Sequence, residues 1–331
     1  MQELELREFK TFKFNSSPLL EQFSSNQKTF CSVNKQIRPK KAGYGSVTGH
    51  HAEIAQGMFP ENNGQSIRAL LTLPCSWFQA NASFTPAANN VISVEPADKS
   101  KSLRAAFLTK EEVGAAGWGG CLRIHSNIPP GFGCGSSTAE VTATIKAVTD
   151  AFGYKLSPEK IAQLAVRAEK ASDPLMYGSQ AVLFAQRQGK VIEDFGNSLP
   201  PLDVLGFSTN AFGIDTLTFP PAQYDEWEIE MFRVLRGAMR RAISYQDPRL
   251  IGRIASASAR INQRYLPKPK FALLEEIVEQ AGALGLQVAH SGTVVGLLFD
   301  SLDKNTEQKI QQAKQWLTKI GFTVTWCFQN N

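Results

Sequence analysis

The stretch IPPGFGCGSSTAEVTA, residues 128–143, decides the fold. Within it, Gly131, Gly133 and Gly135 alternate with larger residues, so the backbone can turn sharply and approach a ligand closely. The residues that precede it, 120–127 (GCLRIHSN), are typical of a β-strand. The sequence therefore predicts a strand followed by a glycine loop.

A helix is predicted directly after the glycine loop. Ser136, Ser137 or Thr138 can cap it, because a side-chain oxygen there accepts a hydrogen bond from an unpaired backbone N–H. The helix should end at Gly153 and bury one face, which consists of Val141, Ile145, Val148 and Phe152. Strand, loop and helix N-terminus together indicate an anion-binding site, since free N–H groups and the positive end of the helix dipole converge there.

Two common anion-binding loops do not match this stretch. A Walker loop requires a lysine after its second glycine, and no lysine lies between residues 128 and 145. The dinucleotide-binding fingerprint requires Gly-x-Gly-x-x-Gly, whereas the spacing here is Gly-x-Gly-x-Gly. On this stretch alone, a glycine-rich turn without a ligand remains the alternative.

Length and composition indicate an ordinary globular protein. The chain of 331 residues is long enough for two domains, and 43% hydrophobic with 20% charged residues is usual for such proteins. We find no apolar run of about 18 residues, which argues against a membrane span, and the N-terminus lacks the apolar segment of a secretory signal. The five cysteines lack disulfide or zinc spacing, which favours the reduced cytoplasm.

The net charge of +5 is mild. Basic residues cluster at 35–41, but no aromatic residues interleave with them, so we expect neither a nucleic-acid nor a membrane partner. Residues 1–41 are polar and without a clear period, and we interpret them as an N-terminal extension.

The rest of the chain has an α+β pattern. Residues 67–73, 75–84 and 90–95 alternate in the manner of strands. A long helix is predicted at residues 224–245, with an apolar face that consists of Trp227, Met231, Leu235 and Met239. Such a pattern predicts helices packed on antiparallel or mixed sheets.

Three further segments carry candidate functional residues: 49–57 (GHHAEIAQG), 169–177 (EKASDPLMY) and 288–298 (VAHSGTVVGLL). An aspartate such as Asp173 can orient an attacking hydroxyl and take its proton, and a carboxylate such as Glu169 can hold Mg²⁺. The alternatives are a helix-ending Asp-Pro turn, an exposed helix acid and, in the first segment, a polar pair on a short helix face.

The glycine loop resembles the Pro-x-x-x-Gly-Leu-Gly-Ser-Ser-Ala loop of the GHMP kinases, with Cys134 in place of leucine and Thr138 in place of alanine. The three segments, in order, resemble the motifs of the L-threonine kinase-like branch of that superfamily. The first matches Cys-Gly-Glu-x-x-Gln-Gly, except that His51 and Ala52 replace Cys-Gly. The second is similar to Glu-Pro-Thr-Asp-x-x-Met-Tyr/Phe, and the third keeps Ala-His-Ser-Gly.

This resemblance, which covers roughly residues 42–329, implies a two-domain α+β GHMP kinase fold. Residues 42–198 would form the N-terminal ATP-binding domain, with a left-handed β-α-β phosphate-loop unit, and residues 199–331 a ferredoxin-like C-terminal domain. The implied cofactors are ATP and Mg²⁺. His290 is more simply explained as a structural histidine.

The resemblance also implies roles for individual residues. Asp173 would be catalytic, and Ser137 and Glu169 would bind the metal. The ATP phosphates would lie on Pro130, Gly131, Phe132, Gly133, Cys134, Gly135, Ser136, Ser137 and Thr138. The acceptor would contact His51, Glu53, Gln56, Gly57, Ser291 and Gly292.

The implied activity is ATP-dependent phosphorylation of a hydroxy amino acid, with L-threonine as the leading acceptor and a place in cobalamin biosynthesis. L-Serine, homoserine and other hydroxy acids stay open, because His50 and His51 lie where the acceptor motif departs from the family pattern. A nucleotide-binding homologue without kinase activity is the alternative from another class. A homodimer is a further possibility.

Overall fold

A computed structural model describes residues 37–61, 64–209 and 222–330. Residues 37–331 form one compact unit. Most of the predicted extension, residues 1–36, lies outside the described part of the chain. Its last residues already contact the fold: the indole N–H of Trp118 donates to the carbonyl of Ile37 at 2.9 Å, and the backbone N–H of Lys40 donates to that of Ala151 at 2.8 Å.

The described residues contain ten strands and seven α-helices. The strands are β1 (Gly43–Pro60), β2 (Ser66–Ala87), β3 (Ile92–Glu95), β4 (Gly119–Ser126), β5 (Gln180–Ala185), β6 (Lys190–Ser198), β7 (Leu202–Ser208), β8 (Gly285–Val288), β9 (Val294–Asp300) and β10 (Val324–Gln329). The helices are α1 (Ser100–Glu112), α2 (Ser136–Phe152), α3 (Pro158–Glu169), α4 (Glu226–Ser244), α5 (Pro248–Asn262), α6 (Phe271–Ala281) and α7 (Thr306–Lys319).

The strands form one mixed sheet with the order β10-β7-β9-β8-β1-β2-β4-β3, and β5 and β6 branch from β2. β3 and β4 run parallel on either side of α1 in the chain, whereas the other described pairs are antiparallel. The two halves of the sheet meet where Glu53 of β1 pairs with Val288 of β8. The cleft described below lies around this junction.

The C-terminal half has the ferredoxin-like order. β7, β8, β9 and β10 follow each other as strand, helices, two strands, helix and strand, and they lie in the spatial order β10-β7-β9-β8. The predicted ferredoxin-like half and the α+β class are therefore confirmed. Where the sequence divides into domains, near residue 198, stays a prediction.

Helix α2, which follows the glycine loop, is buried on nearly all sides. It packs on β1, where Gly45 has no side chain, because a methyl group there would overlap the carbonyl of Ala143. Its N-cap is Gly135, which has φ +73° and no side-chain cap, so the predicted serine or threonine cap is wrong. Ser136 is the first residue of the helix, so the three hydroxyls lie within the first turn.

Two further expectations are corrected by the structure. The predicted strands 75–84 and 67–73 are one continuous strand, β2, which pairs with β1 along most of its length. In α4, Leu235 and Met239 are buried as predicted, but Trp227 is 74% exposed and Phe232 is buried in its place. Phe232 fills the space beside Gly57 of β1. The residue pattern of α4 alone does not predict this contact, because it depends on a residue outside the helix.

In the part of the chain that the structure describes, no helix combines the length and the apolar character needed to cross a bilayer.

Candidate active site

A cleft of about 690 Å³ lies beside the glycine loop, between the start of α1, the end of α3 and the loop after β8. Of the residues predicted for the site, those that line it are Gln56, Gly57, Pro130, Gly131, Gly133, Cys134, Gly135, Ser136, Ser137, Thr138, Glu169, Asp173 and Ser291. Segments that are far apart in the sequence thus meet in one cavity.

The glycine loop is held from behind by the loop after β8. The backbone N–H groups of Thr293 and Val294 donate to the carbonyl of Phe132 at 3.0 and 3.1 Å. Gly292 lies so close to Phe132 and Gly133 that a Cβ there would overlap their backbones. Phe132 and Gly292 therefore support the lining of the cleft from outside it.

The N-terminus of α2 opens into the cleft. The first backbone hydrogen bond of the helix runs from Ala139 N–H to the carbonyl of Gly135, at 2.8 Å. The N–H groups of Ser136, Ser137 and Thr138 have no backbone partner among the described residues. Free N–H groups at a helix N-terminus bind phosphate oxygens.

Glu169, at the end of α3, lies against this helix terminus. Its carboxylate accepts hydrogen bonds from the hydroxyls of Ser137, at 2.6 Å, and Thr138, at 2.9 Å. Burial raises the pKa of Glu169 to about 7, even though both hydroxyls favour its charged form. Lys101 of α1 donates to the Ser137 hydroxyl at 3.2 Å and brings a cation to the same corner.

These groups suit a magnesium ion held jointly with phosphate. Among the described residues, no three His, Cys, Asp or Glu side chains converge as a metal site would require. Mg²⁺ in phosphoryl-transfer sites, however, uses one or two protein oxygens and completes its shell with phosphate and water. Ser137 and Glu169 offer such a pair, because their oxygens lie 2.6 Å apart.

Asp173 lies in the turn after α3, close to the helix terminus. Its Oδ2 accepts a hydrogen bond from Nε2 of His50 at 3.2 Å, and its backbone N–H donates to the Thr138 hydroxyl at 3.2 Å. Burial alone would raise the pKa of Asp173, but the charge of His50 and its hydrogen bond outweigh burial and hold this pKa below its ordinary value. The structure thus contains an ionised carboxylate beside the predicted phosphate site.

Glu53 is fully enclosed behind the cleft and does not line it. Its two carboxylate oxygens accept from the backbone N–H of His290, at 2.7 Å, and from Nδ1 of the same histidine, at 2.8 Å. Burial would lower the pKa of His290, but the charge of Glu53 outweighs it and raises that pKa. Lys268 is buried nearby, donates to the carbonyl of Gly292 at 2.6 Å, and has a pKa that burial lowers to about 8.

Gln56 and Gly57 form the far wall of the cleft. The backbone of Gln56 is fixed by Ser258 and Asn262 of α5, at 3.1 Å each, and its side chain donates to the carbonyl of Val288 at 3.5 Å. Gly57 packs against Phe232, whose ring occupies the space of a side chain.

Comparisons with known proteins identify the family. The GHMP kinases N terminal domain matches residues 101–179, and the GHMP kinases C terminal domain matches residues 235–316. An L-threonine kinase of Salmonella typhimurium is 29% identical over 272 residues, which are 78% of this chain and 87% of that protein. An L-threonine kinase of Citrobacter freundii is 30% identical over 215 residues, which are 62% of this chain and 69% of that protein.

The chain belongs to the GHMP kinase family. It is accordingly a phosphotransferase that acts on a hydroxyl group, as the resemblance of the motifs implies. A homoserine kinase from Cytophaga hutchinsonii has the same fold, with a TM-score of 0.62 at 16% identity over 92% of this chain and 97% of that one.

In this GHMP kinase, three residues predicted for the acceptor site do not line the cleft. Glu53 and Gly292 lie directly behind its wall, whereas His51 lies elsewhere. His51 is fully buried on the other side of β1, where its ring packs against Trp326 and Phe328 and its Nδ1 lies 3.0 Å from Gln287. Its neighbour His50 lines the cleft instead. The structure therefore does not bring His51 to the cleft, where its acceptor contact is predicted.

The cause is a bulge in β1. Its pairing with β2 is irregular between His50 and Glu53, and Ala52 has φ +56°, a conformation that L-residues rarely adopt. The bulge brings Nδ1 of His50 to 3.9 Å from Glu53, although residues three apart in a regular strand face opposite sides. Ala52 lies at the position where the motif that this segment resembles has glycine, the residue that adopts a positive φ most readily.

The cations of the cleft belong to no motif of the sequence. Lys99 and Lys101 at the start of α1, and Arg68 of β2, all line it. Lys99 pairs with Glu140 of α2 at 2.8 Å, and this pair fixes the beginning of α1 over the helix terminus. For Lys99 and Lys101 the signal in the sequence is a Lys-x-Lys pair, and for Arg68 there is none.

Proposed function

We propose that this GHMP kinase transfers the γ-phosphoryl group of ATP to the side-chain hydroxyl of a small amino acid, and that L-threonine is the preferred acceptor. The observation that carries the proposal is the position of Asp173, whose backbone N–H and Oδ2 both contact the Thr138 hydroxyl in the first turn of α2. An acceptor beside this carboxylate would face a phosphate bound at the helix terminus. The similarity of this chain to two L-threonine kinases supports L-threonine as its acceptor.

The roles of the residues follow from their places. The N–H groups at the start of α2 and the loop 130–135 would bind the phosphates, with Lys101 as an additional cation. Ser137 and Glu169 would hold Mg²⁺, which when bound neutralises charge on the phosphates. Gln56, Gly57 and Ser291 would form the acceptor wall, and Glu53 and Gly292 would support it from behind.

Asp173 would orient the acceptor hydroxyl and accept its proton. Because its pKa is held below the ordinary value, the carboxylate is ionised at neutral pH and ready to accept a hydrogen bond. Phosphoryl transfer depends mainly on positioning and on charge stabilisation, so a correctly placed weak base suffices.

The test is a coupled assay of ADP release with L-threonine, L-serine and L-homoserine as acceptors. We expect the highest kcat/KM for L-threonine, and a fall of kcat by about 10²- to 10⁴-fold in Asp173→Asn. A preference for L-serine or L-homoserine would move the proposal to that acceptor. Binding of ATP without transfer to any hydroxyl would instead support the non-catalytic alternative.

We further propose a cytoplasmic enzyme that serves cobalamin biosynthesis, as the resemblance to the L-threonine kinase-like branch implies. A possible homodimer is tested by light scattering of the full chain.

A further inference from the structure

His50, which lines the cleft together with His290, has a specific set of neighbours. Its side chain is 1% exposed, so water does not solvate its ring. Nε2 lies 3.2 Å from Oδ2 of Asp173, and Nδ1 lies 3.3 Å from the carbonyl of Ala52 and 3.9 Å from Glu53. All three neighbours are hydrogen-bond acceptors, so the ring is best satisfied when both of its nitrogens carry protons.

The carboxylate of Asp173 depends on this donor. The Thr138 hydroxyl has one proton and two carboxylates within reach, Glu169 at 2.9 Å and Asp173 at 3.4 Å. Because the contact with Glu169 is the shorter one, the Thr138 hydroxyl donates its hydrogen bond to Glu169. His50 is then the donor to Oδ2 of Asp173. Among the described residues, side-chain hydrogen bonds engage Oδ2 of Asp173 and do not engage Oδ1.

We propose that His50 is the positioning residue of this kinase: its Nε2–H fixes Oδ2 of Asp173, so that Oδ1 is presented to the acceptor hydroxyl. This inference rests on the proposed function. During transfer the hydroxyl O–H bond breaks and its proton goes to Oδ1, a bond forms from the hydroxyl oxygen to the γ-phosphorus, and the bond to the β-phosphate oxygen breaks with its electron pair on ADP. The proton on Nε2 stays in place throughout.

The charges around the ring support this arrangement. Burial would lower the pKa of His50, but the charge and hydrogen bond of Asp173, the charge of Glu53 and the carbonyl of Ala52 outweigh burial and raise it. The other nearby bases are His290, whose positive charge opposes that of His50, and His51, which stays neutral because burial lowers its pKa to about 3. The two acids thus decide the protonation of His50.

The glycine loop is shaped around this histidine. A Cβ at Gly135 would lie 2.6 Å from Cδ2 of the His50 ring, and the backbone N–H of His50 donates to the carbonyl of Cys134 at 3.3 Å. The phosphate loop and the base are therefore tied to each other through one residue, His50, which contacts the loop with its backbone and ring and contacts Asp173 with Nε2.

The kinetic test compares His50→Leu and His50→Gln with His125→Gln, which changes an exposed histidine of β4 away from the cleft. We expect His50→Leu to lower kcat by about 10- to 100-fold, the value of a hydrogen bond to a charged group, with the KM for ATP changed less than about twofold. His50→Gln should keep more of kcat, because its amide can still donate to Oδ2.

The pH profile separates positioning from a general loss of structure. In both His50 variants the cation is gone, and only the charge of His290 and the hydrogen bond of Thr138 still oppose burial. The pKa of Asp173 therefore rises, and the acid limb of kcat should move to higher pH. His125→Gln should leave rate and profile unchanged. A His50→Leu enzyme with the wild-type kcat profile, or with equal losses in kcat and ATP affinity and no pH shift, would overturn the proposal.

A second measurement needs no change to the histidine. Proton–nitrogen NMR of the imidazole rings in the wild-type protein should show His50 protonated on both nitrogens at neutral pH, with a titration midpoint above the ordinary value of about 6.5. Asp173→Asn should lower this midpoint. A neutral His50 with an unprotonated Nε2 would refute the pairing of His50 with Asp173, even in an active enzyme. If the wild type phosphorylates no hydroxyl, the proposed function fails, but the NMR result still decides whether His50 and Asp173 are paired.

Discussion

The substitution Gly133→Ala, which adds a single methyl group, tests the contact between the glycine loop and the loop after β8. Gly133 has φ +87°, and a methyl group there would lie 2.5 Å from Cβ of Ala289 and overlap the carbonyl of Ser291. The glycine loop and the loop after β8 would therefore have to separate. Because Ser291 lines the cleft, such a shift changes the site as well as the stability.

The expected magnitude has two parts. An L-residue in the left-handed region costs about 1–2 kcal/mol, and an extra methyl in a packed region costs about 1–3 kcal/mol. Gly196→Ala is the matched control, since Gly196 has φ +75° and no atom lies within 4 Å of the place that its new methyl group would take. Gly196→Ala should lose only the cost of the left-handed conformation, about 1–2 kcal/mol of unfolding free energy. Gly133→Ala should lose about 2–5 kcal/mol, because the cost of the extra methyl group is added.

The assay is urea unfolding followed by circular dichroism, combined with calorimetric titration of MgATP. We expect Gly133→Ala to unfold at lower urea than Gly196→Ala and to bind ATP at least about tenfold more weakly, a loss of about 1.4 kcal/mol. Equal unfolding midpoints and equal ATP affinities in the two variants would show that the loops are not in the close contact described here.

Three other expectations concern single side chains. Burial raises the pKa of Glu169 from its ordinary value of 4.5 to about 7, so between these pH values the folded protein binds a proton that the unfolded chain has lost. The free energy of unfolding should therefore fall as pH rises from 4.5 to about 7. Urea titrations at several pH values should show this slope in the wild type and its loss in Glu169→Gln. His51→Leu should lower stability by about 1–3 kcal/mol through its lost contact with Gln287 but change the acceptor KM less than about twofold; a large KM effect would restore His51 to the acceptor site. Lys101→Ala should raise the KM for ATP about three- to tenfold at low salt, whereas Arg104→Ala, one helical turn away on the exposed surface, should not; equal effects would exclude a specific contact of Lys101 with phosphate.

Much of the fold could be predicted from local patterns. The helix after the glycines, the Ser157 cap with Pro158 at the first helical position, and the hairpin of β5 and β6 all depend on residues that are close in sequence. The predicted N-cap of α2 is wrong, because Gly135 adopts a left-handed conformation and is itself the N-cap, so the helix begins at Ser136. Burial of α4 depended on Phe232 meeting Gly57, two residues from different halves of the chain.

The sequence by itself determined the family and the order of the four motifs, and it predicted the phosphate loop, because these depend on residue types at short, fixed spacing. Only the tertiary structure decided which of the two adjacent histidines, His50 or His51, faces the cleft. The bulge at Ala52 shifts the alternation of β1 by one residue, and a backbone angle of this kind leaves no mark in residue periodicity. In the same way, Lys101 reaches Ser137 and His50 reaches Asp173 because α1, α2 and β1 pack together, and such distances exist only once the chain has folded.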